Sequence, residues 1–226
     1  MFVMLKIEET ESFKAVRERT ETAKVGPIFA KYSRELCTVL GLTMAGGLRF
    51  YTFTAYMQKF LVNTSGFSKS VVAEIIAGAL VVLMSLQPIM GWLSDIVGRR
   101  PMLIAFGGLG ALCTVPILTL ISGTRSPVFA FLLIILALTI LSAYTSVGGL
   151  FQAELFPTEI RALGLGLPYA IAISAVGGTA EVVALRLKQI GHESAFYWYV
   201  ATVFGIAFVT AVGLTTTRQR RQQLPR

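Results

Sequence analysis

The chain has 226 residues, of which 54% are hydrophobic and only 14% are charged, and its net charge is +8. Because a soluble domain usually contains about 25% charged residues, this composition is typical of a membrane protein and leaves no room for a large soluble domain. The basic excess does not indicate a nucleic-acid partner, because most lysines and arginines lie at the termini and at the ends of predicted helices.

The amino-terminal segment, residues 1–34, is more polar than the rest of the chain. We interpret it as a cytoplasmic, loop-like lead-in, which is either partly helical and amphipathic or a disordered tail. Gly26-Pro27 interrupts any helix in this segment. The apolar start, Met1-Phe2-Val3-Met4, resembles the last residues of a preceding membrane span and is too short for a signal peptide.

Six segments are long and apolar enough to cross a bilayer core, which requires about 20 residues of helix. They cover residues 36–61, 71–93, 102–121, 128–151, 162–187 and 195–216. The sequence therefore predicts an all-α membrane protein, with a bundle of six transmembrane helices over residues 35–217 and a basic cytoplasmic tail over residues 218–226.

Lysines and arginines are concentrated on the side of this bundle that carries both termini. Positive charge near span ends favours the cytoplasmic side, so we expect both termini in the cytoplasm. The loops that join the second span to the third and the fourth span to the fifth then also lie in the cytoplasm.

Residues 91–100, between the second and third spans, read Gly-Trp-Leu-Ser-Asp-Ile-Val-Gly-Arg-Arg and contain the chain's only aspartate, Asp95. Asp95, Arg99 and Arg100 can pair with a neighbouring helix and separate again when helix bundles rock. The alternative is a basic anchor that only sets topology, which explains the arginines but not the acid. Gly91 and Gly98 would permit close helix approach and a tight turn.

A second charged loop, residues 154–161, reads Glu-Leu-Phe-Pro-Thr-Glu-Ile-Arg and lies on the same predicted side. Glu154 and Arg161 flank a Pro-Thr turn. Together with the first charged turn they predict one cytoplasmic gate network, formed by Asp95, Arg99, Arg100, Glu154 and Arg161. The alternative is an ordinary exposed loop.

Two charged residues fall inside predicted spans, where a charge is costly and usually functional. Arg49 should face a water-filled cavity, where it could attract an anionic substrate. Alternatively, it pairs with an acid such as Glu181 for structure, or its side chain snorkels toward the membrane interface. Glu181 lies in a span interrupted by glycine and proline, as expected where a transporter helix bends around a site. In a cavity it could carry a proton; alternatively it pairs with Arg186 or Lys188 near the helix end.

Further substrate or proton candidates are Tyr56, Gln58 and Lys59, of which Tyr56 and Lys59 lie one turn apart and could share a face. Most tyrosines in membrane helices are interface anchors or packing residues, so the remaining polar residues are weaker candidates: Tyr51, Gln87, Tyr144 and Tyr169. The glycines at 107, 108 and 110 indicate helix packing rather than a nucleotide loop. The two cysteines and the single histidine predict no disulfide, no metal site and no cofactor.

The two loop motifs, Gly-x-Leu-x-Asp-x-x-Gly-Arg-Arg at 91–100 and Glu-(six residues)-Arg at 154–161, resemble those of the major facilitator superfamily. The stretches 50–59, 161–167 and 177–185 are similar to its metabolite:proton symporter family. The resemblance implies the carboxy-terminal six-helix half of a twelve-span transporter of the bacterial inner membrane. It also implies proton-coupled uptake of a small organic acid such as α-ketoglutarate by alternating access, and a requirement for an amino-terminal six-helix half.

Two other functions remain open. Two copies of the chain could act together as a homodimeric half-transporter, or the chain could be a remnant or an assembly partner that does not transport. An enzyme is not expected, because the sequence offers no pairing of a nucleophile with a base and no metal-ligand constellation.

Overall fold

The computed structural model describes residues 31–158, 160–177 and 179–222, so most of the predicted lead-in lies outside the described residues. The described part of the chain is almost entirely helical and contains no strand, which confirms the predicted fold class. The helices are α1 Ser33–Tyr51, a π-turn Thr52–Tyr56, α2 Met57–Asn63, α3 Lys69–Val97, α4 Arg99–Gly123, α5 Pro127–Thr145, α6 Gly148–Ala153, α7 Arg161–Gly177, α8 Ala180–Gln189 and α9 Glu193–Gln222.

Within the described residues these helices form six segments that are long and apolar enough to cross a membrane. We number them spans 1 to 6: Ser33–Asn63, Lys69–Val97, Arg99–Gly123, Pro127–Ala153, Arg161–Gln189 and Glu193–Gly213. The six predicted spans are confirmed. Most of the helices run a few residues further than the apolar stretches, because helical hydrogen bonding continues into the polar ends.

Span 1 occupies the centre of the bundle. It packs against span 5 through α7, against span 6 through α9 and against span 4 through α5. Of its most apolar stretch 61% of the residues are buried, against 28% in span 2 and 25% in span 5. Spans 2 and 5 therefore present most of their side chains to the outside of this bundle.

Aromatic rings fill the core between spans 1, 3, 4 and 6. Tyr56 of the π-turn contacts Phe196 edge-on, with 5.1 Å between ring centroids. Phe106 meets Phe204 edge-on at 5.2 Å and stacks on Tyr144 at 4.9 Å. These offset and edge geometries are the favourable ones for aromatic pairs.

The glycines of span 3 allow a close approach of span 6. A Cβ atom added to Gly107 would lie 2.7 Å from the backbone Cα atom of Phe208, and one added to Gly110 would lie 2.2 Å from the ring of Phe204. Neither distance is compatible with a side chain, so the prediction that these glycines serve helix packing is confirmed. Small residues at such crossings are the usual means by which membrane helices associate.

Two spans are interrupted. Span 4 breaks between α5 and α6 at Ser146 and Val147, and span 5 breaks between α7 and α8 close to Thr179. Pro168 lies inside α7 without ending it. The second break places the start of α8, and with it Glu181, beside the far half of span 1.

Candidate functional site

The first charged turn is a sharp joint between α3 and α4. Gly98 stands at the junction with φ 95° and ψ 150°, a backbone conformation that side-chain-bearing residues rarely adopt. Gly98 therefore lets α4 begin at the very next residue, Arg99. The predicted tight turn at Gly98 is confirmed. No described residue lies within 4 Å of a Cβ atom added to Gly91, so the close helix approach predicted there stays a prediction.

The two charged loops are joined by an ion pair between Arg99 Nη1 and Glu154 Oε1. Arg99 is the first residue of α4, and Glu154 follows the last residue of α6. The two side chains are 31% and 48% exposed, so the pair contributes about 0–1 kcal/mol to stability in this conformation. An ion pair this weak can open without a large cost in free energy.

The other members of the predicted network lie apart. Asp95 and Arg161 are exposed and Arg100 is half-buried. None of the three forms an ion pair with a residue that the structure describes. Among the described residues, the five predicted gate residues are thus connected by a single ion pair, that of Arg99 with Glu154.

Arg49 is fully buried among spans 1, 3, 4 and 6. Its Nε atom donates to the carbonyl oxygen of Ala137 at 3.1 Å, and its Nη1 atom donates to Thr114 Oγ1 at 3.2 Å. The guanidinium carbon lies 5.1 Å from the ring centroid of Phe53 and 4.9 Å from that of Phe204. Its Nη2 atom has no hydrogen-bond partner among the described residues.

This environment differs from all three interpretations of Arg49, because a fully buried side chain does not snorkel either. The side chain does not face an open cavity in this conformation, and it does not pair with Glu181. It instead connects four spans through hydrogen bonds and aromatic faces, as a packing element would. A substrate role for Arg49 stays a prediction, without a path for solute to the guanidinium in this structure.

Glu181 contacts span 1 instead. Its Oε1 atom pairs with Lys59 Nζ, and its Oε2 atom accepts a hydrogen bond from the Tyr51 hydroxyl at 2.7 Å. The alternative in which Glu181 pairs with Arg186 or Lys188 is therefore wrong. The contact holds α8 against the second half of span 1.

Lys188 takes part in a separate cluster at the same end of the bundle. Lys188 Nζ lies 3.5 Å from Glu193 Oε1, and Thr64 Oγ1 donates to the same carboxylate oxygen at 2.7 Å. Arg125 donates to the backbone carbonyl of Ser65 at 2.7 Å. These bonds connect the end of span 1 with the start of α9 and with the loop before α5, and Lys188 adds the end of α8.

The remaining predicted candidates point in different directions. Tyr56 is only 3% exposed and lies in the aromatic core, whereas Gln58 and Lys59 are exposed. Tyr56 and Lys59 therefore do not share a face, contrary to the prediction. No hydrogen bond joins the Gln58 side chain to another part of the described chain.

A buried polar cluster near the other end was not predicted. Gln152 is 1% exposed, and its Nε2 atom donates to Thr43 Oγ1 and to the Tyr144 hydroxyl, both at 3.2 Å. Tyr144 is wedged between span 1 and α6, since a Cβ atom added to Gly46 or Gly148 would overlap its ring. The sequence did contain one indication of this cluster: Gln152 is a polar residue in an apolar span, close to Gly148 and Gly149.

The chain is similar to several known transport proteins. The family described as sugar (and other) transporters matches residues 4–223. The chain is 51% identical to the α-ketoglutarate permease of Escherichia coli K12 over 181 residues, which cover 80% of this chain and 42% of the permease. It is 27% identical to the proline/betaine transporter of the same strain, with 95% and 45% coverage, and 28% identical to the citrate-proton symporter of Klebsiella pneumoniae, with 94% and 47% coverage. The chain thus spans less than half the length of these relatives, and no solved structure matches it.

Proposed function

Since the chain belongs to the sugar (and other) transporter family of the major facilitator superfamily, we propose that it forms the carboxy-terminal half of a secondary transporter. The proposed activity is proton-coupled uptake of a small organic acid such as α-ketoglutarate. The observation that carries this proposal is the 51% identity to an α-ketoglutarate permease over 80% of this chain.

The proposed mechanism is alternating access, in which this bundle rocks against a second six-helix half. The ion pair of Arg99 with Glu154 supports it, because this contact joins two loops on one face and is weak enough to open in each cycle. Asp95, Arg100 and Arg161 are exposed or half-buried on the same face. We assign them to contacts with the other half, which would complete the gate.

We place the protein in the bacterial inner membrane with both termini in the cytoplasm. An even number of spans brings the two ends of the bundle to one face, and Arg34 donates to the Gly213 carbonyl oxygen there at 2.7 Å. The bias of lysines and arginines toward this face supports its cytoplasmic location. A phosphatase or fluorescent reporter fused to the carboxy terminus tests the orientation: cytoplasmic fluorescence supports it, and phosphatase activity contradicts it.

The requirement for an amino-terminal half follows from the proposed mechanism. Spans 2 and 5 are the least buried of the six, and they offer the surface on which such a half would pack. The chain matches only 42% of the permease, so the unmatched portion of that relative is a practical source for the missing bundle.

Uptake of labelled α-ketoglutarate tests the proposal. Cells without their own uptake of this acid express the chain alone, the unmatched portion of the E. coli permease alone, or both. We expect uptake only when both are present, stimulated by acidic external pH and abolished by a protonophore. Insertion of each polypeptide is checked by membrane fractionation.

The other outcomes decide between the alternatives. Uptake by this chain alone, together with a dimer in cross-linking, would support the homodimeric half-transporter. Stable insertion without uptake in any combination, including with acids related to proline, betaine and citrate, would contradict the proposal and support the non-transporting remnant or assembly partner.

A further inference from the structure

A carboxylate already occupies a two-donor site on span 1, near the end farthest from the charged turns. Tyr51 donates to one oxygen of the Glu181 carboxylate at 2.7 Å, and Lys59 pairs with the other oxygen. Both donors come from span 1, and the acceptor comes from span 5. Such an arrangement would hold any carboxylate of suitable access, whether it belongs to the protein or to a ligand.

The π-turn builds this pair of donors. Tyr51 and Lys59 are separated by eight residues, which in a regular α-helix places them about 80° apart around the axis. The π-turn Thr52–Tyr56 closes hydrogen bonds between residues five apart and so takes up one residue more than an α-turn. Lys59 therefore occupies the position of a seventh residue, within about 20° of Tyr51. Rare π-turns are often found at functional sites.

The exposure and the small stability of the Lys59–Glu181 pair favour replacement of the Glu181 carboxylate by another carboxylate. The Lys59 side chain is 52% exposed and that of Glu181 is 27% exposed, so neither group is sealed inside this six-span bundle. An ion pair this exposed contributes about 0–1 kcal/mol. Arg49, by contrast, is fully buried and cannot meet a solute in this conformation.

We propose that Tyr51 and Lys59 form a binding subsite for a substrate carboxylate, and that Glu181 is its resident occupant until it takes up a proton. This inference rests on the proposed function for the identity of the substrate, although binding does not require translocation. The incoming proton adds to a Glu181 oxygen and neutralises that carboxylate. The Lys59 ammonium keeps its protons and takes the ligand carboxylate as its new counter-ion. One proton and one carboxylate thus enter together, and the net charge of the site is unchanged.

The other titratable groups around Glu181 leave it free to exchange. Tyr56 lies on span 1 and faces the aromatic core. Lys188, on the same helix as Glu181, is paired with Glu193 at the start of α9. The Lys188–Glu193 pair is exposed to a similar degree, at 31% and 21%, and it serves as a matched control.

Equilibrium binding of labelled α-ketoglutarate tests the subsite, with the purified chain in detergent, alone and together with the unmatched portion of the E. coli permease. The uncharged dimethyl ester of the same acid is the negative probe. Lys59→Gln should weaken binding by about tenfold to a hundredfold, because a charge-assisted hydrogen bond is lost. Lys59→Arg should restore most of the affinity, and Tyr51→Phe should weaken binding by roughly threefold to tenfold.

The Glu181→Gln variant distinguishes a carboxylate-binding subsite from an ion pair that is only structural. Removing the resident competitor should tighten binding at neutral pH by about twofold to fivefold. It should also abolish the improvement of binding that the wild-type chain shows on acidification. A structural ion pair predicts no gain in affinity and no loss of pH dependence. Lys188→Gln and Glu193→Gln should leave both properties unchanged.

The results also distinguish this inference from the proposed function. If the variants change binding as expected but no combination takes up the acid, the subsite stands and the transport proposal fails. If uptake occurs while Lys59→Gln and Glu181→Gln bind like the wild-type chain, the subsite is wrong and transport stands. Absence of binding by wild-type and Glu181→Gln chains that keep their helical circular dichroism would also overturn the subsite.

Discussion

Replacing Arg49 by methionine should leave the bundle as stable as the original or make it more stable. Arg49 has no carboxylate partner within the described residues, and its Nη2 atom has no hydrogen bond. Exchanging a buried ion pair for well-packed apolar side chains of similar volume is often neutral or stabilising by about 1–4 kcal/mol, and a buried charge without a counter-ion has even less to offset its desolvation. Arg49→Met keeps much of the volume between Phe53 and Phe204 filled.

The groups that Arg49 contacts do not lose their only partners in this variant. The Thr114 hydroxyl still donates to the Gly110 carbonyl oxygen, at 2.5 Å in the present structure. The Ala137 carbonyl lies inside α5 and still accepts its helical hydrogen bond. The usual penalty for leaving a buried polar group unsatisfied, about 1–3 kcal/mol, therefore does not arise.

Arg49→Ala supplies the contrast, because it also removes the charge but leaves a cavity. Large-to-alanine substitutions in a packed core cost about 2–5 kcal/mol. Unfolding of the purified chain in mixed detergent micelles, followed by circular dichroism, measures all three proteins. A loss of more than about 1 kcal/mol in Arg49→Met, or an equal loss in both variants, would show that Arg49 stabilises the bundle through its charge.

The same variant tests a substrate role for Arg49. Because the side chain is fully buried, Arg49→Met should retain α-ketoglutarate uptake when expressed with the amino-terminal half. Loss of uptake with unchanged stability would show that the charge meets substrate in another conformation. Such a result would restore the interpretation drawn from the sequence.

Three further predictions concern the packing and the charged turn. Gly107→Ala should destabilise the bundle by about 1–3 kcal/mol, because the added methyl group meets the backbone of span 6. Gly91→Ala, with no described atom near its Cβ position, is the control and should be neutral or stabilising by up to about 1 kcal/mol. Equal effects of the two substitutions in the same unfolding assay would contradict the close approach of spans 3 and 6. Gly98→Ala should cost about 1–2 kcal/mol because of its φ of 95°, and a neutral result would place the turn in another conformation. Arg99→Gln and Glu154→Gln should each slow uptake. A double-mutant cycle for unfolding should give a coupling free energy between the two side chains of at most about 1 kcal/mol. Unimpaired uptake in both variants would remove this pair from the gate.

The spans were predictable because apolar length dominates the partition of a helix into a bilayer. Even the interrupted fifth span was foreseeable, since Gly177, Gly178 and Pro168 lie in it. The tight turn at Gly98 followed from the need for a residue that tolerates positive φ. These features depend on local composition, which the sequence states directly.

Only one contact of the predicted charge network lies within the described residues, and ion pairing of this kind depends on how neighbouring helices are rotated. The sequence places Asp95 within one helical turn of Arg99, yet Arg99 pairs with Glu154, and Asp95 points to the exterior. Spacing along the chain indicates which residues can reach a common face. It does not indicate which residues of two different helices will meet.

The partner of Glu181 shows how a single backbone irregularity changes such a prediction. Regular α-helical spacing groups Lys59 with Tyr56 and directs both toward one face. The π-turn lies between Tyr51 and Lys59 and brings these two residues into line at the Glu181 carboxylate, while Tyr56 enters the aromatic core. No residue type in the stretch 52–56 marks a π-turn, since threonine, phenylalanine, alanine and tyrosine all occur in ordinary α-helices. The carboxylate site is thus a product of backbone geometry, and its donors become a pair only once the helix is wound with one extra residue.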